Sequence, residues 1–165
     1  MGICSFKALI SAPLPEVWDF VSRPENLHVW GPALEPVKGI DRPFQSGDRL
    51  TFWRRDFGRR YEQKLLVEEV IPQRLLRFRV LSASGQKQMD AFATLSVAAS
   101  DSPESTWVQE EISYSFGKSA IVLWLDRWLA NPLMQFAVSR KSKKVLGRLE
   151  ALFAKNARKE RADHV

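Results

Sequence analysis

Apolar and polar residues alternate along most of this chain. Residues 4–11 place Phe6, Ala8 and Ile10 on one side and Ser5, Lys7 and Leu9 on the other, which predicts a strand. The next stretch, SAPLPEVWDFVSRPENLHVWGP, changes period. Val17, Phe20 and Val21 share a helical face over a first helix at about Pro15–Val21, with prolines at its start where a missing N–H costs nothing. Arg23-Pro24 ends that helix, and PENLHVW predicts a second short one that stops by Gly31-Pro32. Neither is long enough to be stable alone in water, so the pair must cover something apolar. Alternation then returns. Strands are predicted at Leu34–Ile40, Arg49–Phe57, Tyr61–Ile71, Leu75–Ala83, Gln88–Ala98 and Thr106–Phe116, punctuated by Ser46-Gly47-Asp48, Asp56-Phe57-Gly58, Pro72-Gln73, Ser84-Gly85 and SDSPES. Pro36 marks the first of these as an edge or broken strand. A helical region runs from Ser119 to about Lys155, with a break at Asn131-Pro132.

The predicted class is therefore α+β: a curved antiparallel sheet of about seven strands wrapped around a long C-terminal helix, with two short helices after the first strand. A sheet with one polar face must cover its apolar face, and the last helix is the long element available to do so. A single domain is expected over residues 1–156, with a basic, disordered tail at 157–165. The chain has 165 residues and ordinary globular composition, 45% hydrophobic and 27% charged. No apolar run is long enough to span a bilayer, and no signal peptide is visible, so the expected location is cytoplasmic. Cys4 is the single cysteine and His28 and His164 the only histidines, which leaves no Cys/His metal set. Neither metal nor cofactor is expected.

Charge is unevenly placed. The total is +6, yet residues 140–161 hold nine basic residues against Glu150 and Glu160, a net +7 that leaves the remainder at −1. Such a helix can attract anionic lipid or phosphate. Val145, Leu146, Leu149, Leu152 and Phe153 recur through it at steps of three and four, the pattern of an amphipathic helix packed on a core, and that is the more frequent explanation. No zinc-finger, helix-turn-helix or stacking-aromatic pattern accompanies the charge, so nucleic acid is not the expected partner.

Four phrases add to the element order: I-S-A-P-x-x-x-V-W-x-F at Ile10–Phe20, R-P-E-N-L at Arg23–Leu27, E-x-I-P-Q-R-L at Glu69–Leu75, and L-D-R-W-L at Leu125–Leu129. In that order and spacing the chain resembles the START-like SRPBCC superfamily, the helix-grip fold of the pollen-allergen-like, polyketide cyclase/dehydrase and lipid-transport proteins. The resemblance covers nearly the whole chain. It implies an internal cavity between sheet and long helix that binds an apolar or amphipathic molecule such as a lipid, a quinone or a polyketide-like compound. The short aromatic helices would then cap one end, with Trp30 near a rim or, as the equal alternative, with Trp18 and Trp30 as core or cap-packing residues.

Strand parity nominates lining residues for that cavity. Met89, Ala91 and Ala93 share a face with Leu95 and Val97, and the two alanines leave room beside them. Relatives often carry larger polar residues, including histidines, at matching positions, so histidine chemistry is not expected here. Phe78 belongs to the face of Leu76 and Val80. Ile112 and Tyr114 share the face of Val108 and Phe116, and the same parity includes Glu110, a carboxylate that is costly on an apolar face unless paired or protonated. Arg54 falls with Leu50 and Phe52, and Tyr61 with Gln63, Leu65 and Val67, so a cluster of Arg54, Tyr61 and Glu110 on neighbouring strands is one possibility and a structural salt bridge the other. Leu125 and Trp128 represent the helix wall, with Ile121, Met134, Phe136 and Val138 beside them. Trp124 and Trp128 would cap an entrance, insert at a membrane surface, or pack in the core. No nucleophile-base-acid set, phosphate loop or metal motif is present, which argues against a hydrolase, kinase or metalloenzyme. Three readings stay open: a carrier, chaperone or sensor for a hydrophobic molecule; a cyclase/dehydratase using Glu110 or Tyr114; and a docking module using the basic helix, on a membrane or a macromolecule.

Overall fold

The computed structural model describes residues 2–56, 58–83, 90–115 and 143–155. Strand β1 (Gly2–Ile10) leads into α1 (Leu14–Val21), a 3-10 turn (Pro24–Asn26) and α2 (Leu27–Trp30). The proline-rich stretch predicted this break. Pro13 and Pro24 introduce α1 and the turn, and Asn26 donates its side-chain amide to the Phe20 carbonyl at 2.9 Å, fixing the corner between them. Strands β2 (Arg49–Asp56), β3 (Arg59–Ile71), β4 (Leu75–Ala83), β5 (Asp90–Ala99) and β6 (Thr106–Ser115) follow, and a helix, α3, covers 143–155.

All six strands form one antiparallel sheet in the order β1-β6-β5-β4-β3-β2. Two register shifts, between Lys64 and Leu65 and between Val67 and Glu69, interrupt the pairing of β3 with β4; bulges of this kind bend a sheet and increase its twist. The buried residues then gather on the concave side. Leu50, Val67, Leu76, Leu95 and Val108 from the sheet join Val17, Val21 and Leu27 from the short helices and Leu146, Leu149 and Phe153 from α3 in one cluster. Phe20 meets Phe153 edge to face at 5.5 Å, so α1 and α3 close on each other over the sheet.

Among the described residues six strands stand where about seven are predicted. Residues 34–40 form no strand: Leu34 donates one backbone hydrogen bond to Trp53 at 2.8 Å, but Pro36 has no N–H to continue a ladder and Gly39 turns to φ 89°. The segment instead crosses to Phe44, whose amide bonds the Ser22 carbonyl at 2.8 Å. Residues 116–142, including the predicted Asn131-Pro132 break, the Ser84-Gly85 turn and the 157–165 tail lie outside the described residues.

Candidate ligand-binding site

Following the register across the sheet gives the layout of the concave face. One row runs Val67, Phe78, Ala93, Ile112, Cys4; the next runs Leu76, Leu95, Glu110, Phe6; on the other side lie Leu50, Leu65, Val80. Ala91 sits opposite Tyr114. Strand parity therefore assigned these side chains to the correct face, because pleating forces alternation wherever pairing is regular.

Burial is not uniform over that face. Phe52, Phe78, Ala91, Leu95 and Tyr114 are buried, whereas Phe6, Val80, Ala93, Glu110 and Ile112 keep partial accessibility although they face inward on the sheet. Central strands covered by helices ordinarily bury such positions completely. Small Ala93, itself only partly buried, stands between Phe78 and Ile112 in the middle of the row. Phe6 and Val80 were not nominated from sequence, although the parity of Phe6 with Ile10 pointed to the same face.

Polar groups enter this face at two places. Arg54 and Tyr61 are cross-strand partners on β2 and β3, and the guanidinium carbon stands 5.5 Å from the phenol ring centre. Burial lowers the Arg54 pKa, with Tyr61 opposing that shift; burial likewise raises the Tyr61 pKa, with Arg54 opposing. Gln63, only 2% exposed, follows Tyr61 on the same side and donates its amide to the Lys64 carbonyl at 3.1 Å. Glu110 is elsewhere. Its strand lies between β1 and β5, so β5 and β4 intervene before β3, and its register level reaches β3 at Val70, nine residues along from Tyr61. Arg54, Tyr61 and Glu110 thus do not stand on neighbouring strands, which corrects the placement expected from sequence; the Glu110 Oε2 is shielded from solvent.

Trp30 takes the core reading of its two alternatives. At 4% exposure it is a core residue rather than a rim residue, tilted against Phe78 with ring centres 6.2 Å apart, while Phe44 meets Phe78 edge to face at 5.3 Å. Its indole Nε1–H finds no acceptor among the described residues. His28 donates Nδ1–H to the Glu25 carbonyl at 2.6 Å and so braces the corner of the short helices. Cys4, buried beside Ala91 and Tyr114, has its thiol pKa raised by burial. On α3 the cations Lys143, Lys144, Arg148 and Lys155 are exposed while Leu146, Leu149 and Phe153 are buried, the division expected of a packed amphipathic helix. Met89, Leu125 and Trp128, and with them Ile121, Trp124, Met134, Phe136 and Val138, lie outside the described residues. No group of three metal-ligating side chains occurs among the described residues.

Comparison with known structures matches this architecture. The ZhuI aromatase/cyclase from Streptomyces sp. R1128 superposes with a TM-score of 0.70 at 14% identity, covering 94% of each chain. A START superfamily protein from Mycobacterium smegmatis gives 0.66 at 14% identity, over 94% of this chain and 99% of its own. The di-domain ARO/CYC BexL of the BE-7585A biosynthetic pathway gives 0.65 at 20% identity, over 92% of this chain and 46% of its own, one domain's worth. At these identities the likeness is one of fold. No curated protein matches the chain. The sequence profile of one family spans residues 4–154, and with the helix-grip fold it establishes that the chain belongs to the polyketide cyclase / dehydrase and lipid transport family.

Proposed function

We infer that this protein holds an apolar or amphipathic small molecule against the concave face of its sheet. One observation carries the reading: inward-facing Val80, Ala93 and Ile112 keep accessible surface on inner strands of the sheet, as does Phe6 on the edge strand β1. A lipid, quinone or polyketide-like compound would bury its apolar body there, at roughly 25 cal/mol for each Å² removed from water. Arg54 and Tyr61, desolvated at one end of the face, would receive its polar group. A carrier, chaperone or sensor needs no more than this.

The test is to fill the open ground. Native mass spectrometry with organic extraction identifies what co-purifies, and 1-anilinonaphthalene-8-sulfonate fluorescence measures the site directly. Ala93→Phe should weaken dye binding about tenfold or more while the protein still melts cooperatively. Unchanged binding by a folded Ala93→Phe protein would refute the site.

A second reading, cyclase or dehydratase chemistry in the same space, draws support from Glu110. It is a carboxylate among Leu95, Phe6 and Ile112 with one oxygen shielded from solvent, the setting in which a carboxyl serves as general acid or base.

A further inference from the structure

Strand β1 stands at one end of the sheet, and among the described residues no backbone hydrogen bond beyond its ladder with β6 involves it. An edge strand presents a row of unpaired N–H and C=O groups, which proteins ordinarily guard with bulges, prolines or outward charges. β1 has little of this. It runs nine residues without a proline, and its register with β6 is unbroken from Gly2 to Ile10. Lys7, its one charge, is held 4.1 Å from the centre of the Trp107 ring, back over β6 and off the free edge. The opposite edge is better guarded: Leu34 donates to the Trp53 carbonyl of β2, and that strand carries Arg49 and Arg55.

The side chains beside this edge are complementary to a second copy of themselves. On the outer face of β1, Ile3 is 52% and Leu9 42% exposed, with exposed Ser5 and Lys7 between them. Ile3 and Leu9 lie equally far on either side of Phe6, the midpoint of the strand. A two-fold axis through Phe6 therefore pairs β1 antiparallel with itself over its whole length: Gly2 with Ile10, Ile3 with Leu9, Cys4 with Ala8 and Ser5 with Lys7. Both Ile3–Leu9 pairs fall on the outer face, and each is continued by Trp107, the β6 partner of Leu9. Lys7 meets Ser5 of the second copy, and Glu111 of that copy stands next in the row because it is the β6 partner of Ser5. Other registers lose these matches. A shift by two residues sets Lys7 against Lys7 in one direction and Ile3 against Lys7 in the other, and an odd shift turns the inner face of one copy outward.

We propose that two copies of this chain pair through β1, joining their sheets edge to edge about a two-fold axis at Phe6. The backbone ladder supplies the attraction, the Ile3–Leu9 pairs exclude water from its outer side, and the Lys7–Ser5–Glu111 rows fix the register. Because the pairing uses the same edge of each copy, it closes at two and does not propagate.

The experiment is sedimentation velocity of the full chain over about 1–100 μM, where wild type should form a dimer whose share rises with concentration. Ile3→Lys/Leu9→Lys sets like charges opposite each other at both pairs and should raise the dissociation constant about tenfold or more. Both positions face water in the single chain, so this variant should still melt cooperatively. Ile3→Glu/Leu9→Lys puts Glu opposite Lys twice in the same register, and should return the dissociation constant to within about threefold of wild type. Leu34→Lys/Leu81→Lys, away from β1, should stay within about twofold. A wild type that remains monomeric throughout would overturn the proposal, and so would a Lys/Lys variant that dimerises as wild type does, since the interface would then lie elsewhere. Folded Lys/Lys and Glu/Lys variants equally unable to dimerise would overturn the register. A monomeric wild type that binds an alternating Thr/Val peptide, with that binding lost in the Lys/Lys variant, would overturn the second copy in favour of a foreign strand.

Discussion

Asp48 shows how one side chain launches an element. Its carboxylate accepts hydrogen bonds from both terminal nitrogens of Arg42, at 2.8 and 2.9 Å, and from the Gln45 amide at 2.8 Å, which closes the turn before β2. The Arg42 hydrogen bonds, more than anything else, hold its carboxyl below the usual range, against the effect of burial. A group with a depressed folded-state pKa stabilises the fold above its unfolded value and loses that contribution as pH falls through the folded one. Asp48→Asn should therefore cost about 1 kcal/mol at neutral pH, the low end for charged hydrogen bonds because solvent screens Arg42. The gap between wild type and variant should close below about pH 4, and urea titrations at neutral and acid pH measure both. At this scale the sequence was informative wherever a residue's direction depended on pleating alone, as for Arg54, Tyr61 and Glu110. It was not informative where direction depended on a tertiary neighbour: nothing in the VWGP phrase says that Trp30 tilts onto Phe78.

Elements were legible in proportion to the regularity of their period. The six strands of the described residues and α1 stand where alternation and the prolines predict them, with ends differing by at most two residues, while the helix predicted from Pro24 is split into a 3-10 turn and α2. Residues 34–40 were misread because Leu34 and Val37 carry apolar side chains while Pro36 and Gly39 deny the backbone a ladder. The four-residue helix α2 depends on its end. Gly31 donates to the Leu27 carbonyl at 2.8 Å, and a Cβ added there would lie 2.6 Å from Leu27 Cδ1 and 2.7 Å from Leu27 O. A helix this short has no spare turn to absorb the clash. Gly31→Ala should cost about 1–3 kcal/mol in chemical denaturation and alter the near-ultraviolet circular dichroism of Trp30.

The molecule as a whole is a sheet with one face for the core and one for water. That much follows from the strand pattern, but which inward residues stay accessible does not, since it depends on how far each neighbour reaches across the pleat: of the two small residues Ala91 and Ala93, the first is buried beside Cys4 and Tyr114 and the second stays partly accessible. Separating carrier from catalyst takes a measurement on the whole protein. If chemistry occurs there, a co-purifying ligand or its close analogue turns over with a pH dependence that Glu110→Gln abolishes while binding persists. Equal turnover by the Gln variant would remove Glu110 from the chemistry, and loss of binding would make it a ligand contact instead.

The two register shifts in β3 have a bearing on heredity. Alternate residues of each strand serve opposite faces, so substitutions that retune the inner surface leave the outer arginines in place, and the reverse holds too. Insertions and deletions behave otherwise. Losing one residue from a regular stretch such as Arg59–Lys64 would turn Arg60 inward and Tyr61 outward together, exchanging both surfaces in a single step. Only where this strand already carries an extra residue, Glu68 between Val67 and Glu69, can it shorten without that exchange; at the Lys64/Leu65 interruption the extra residue is Leu81 of β4.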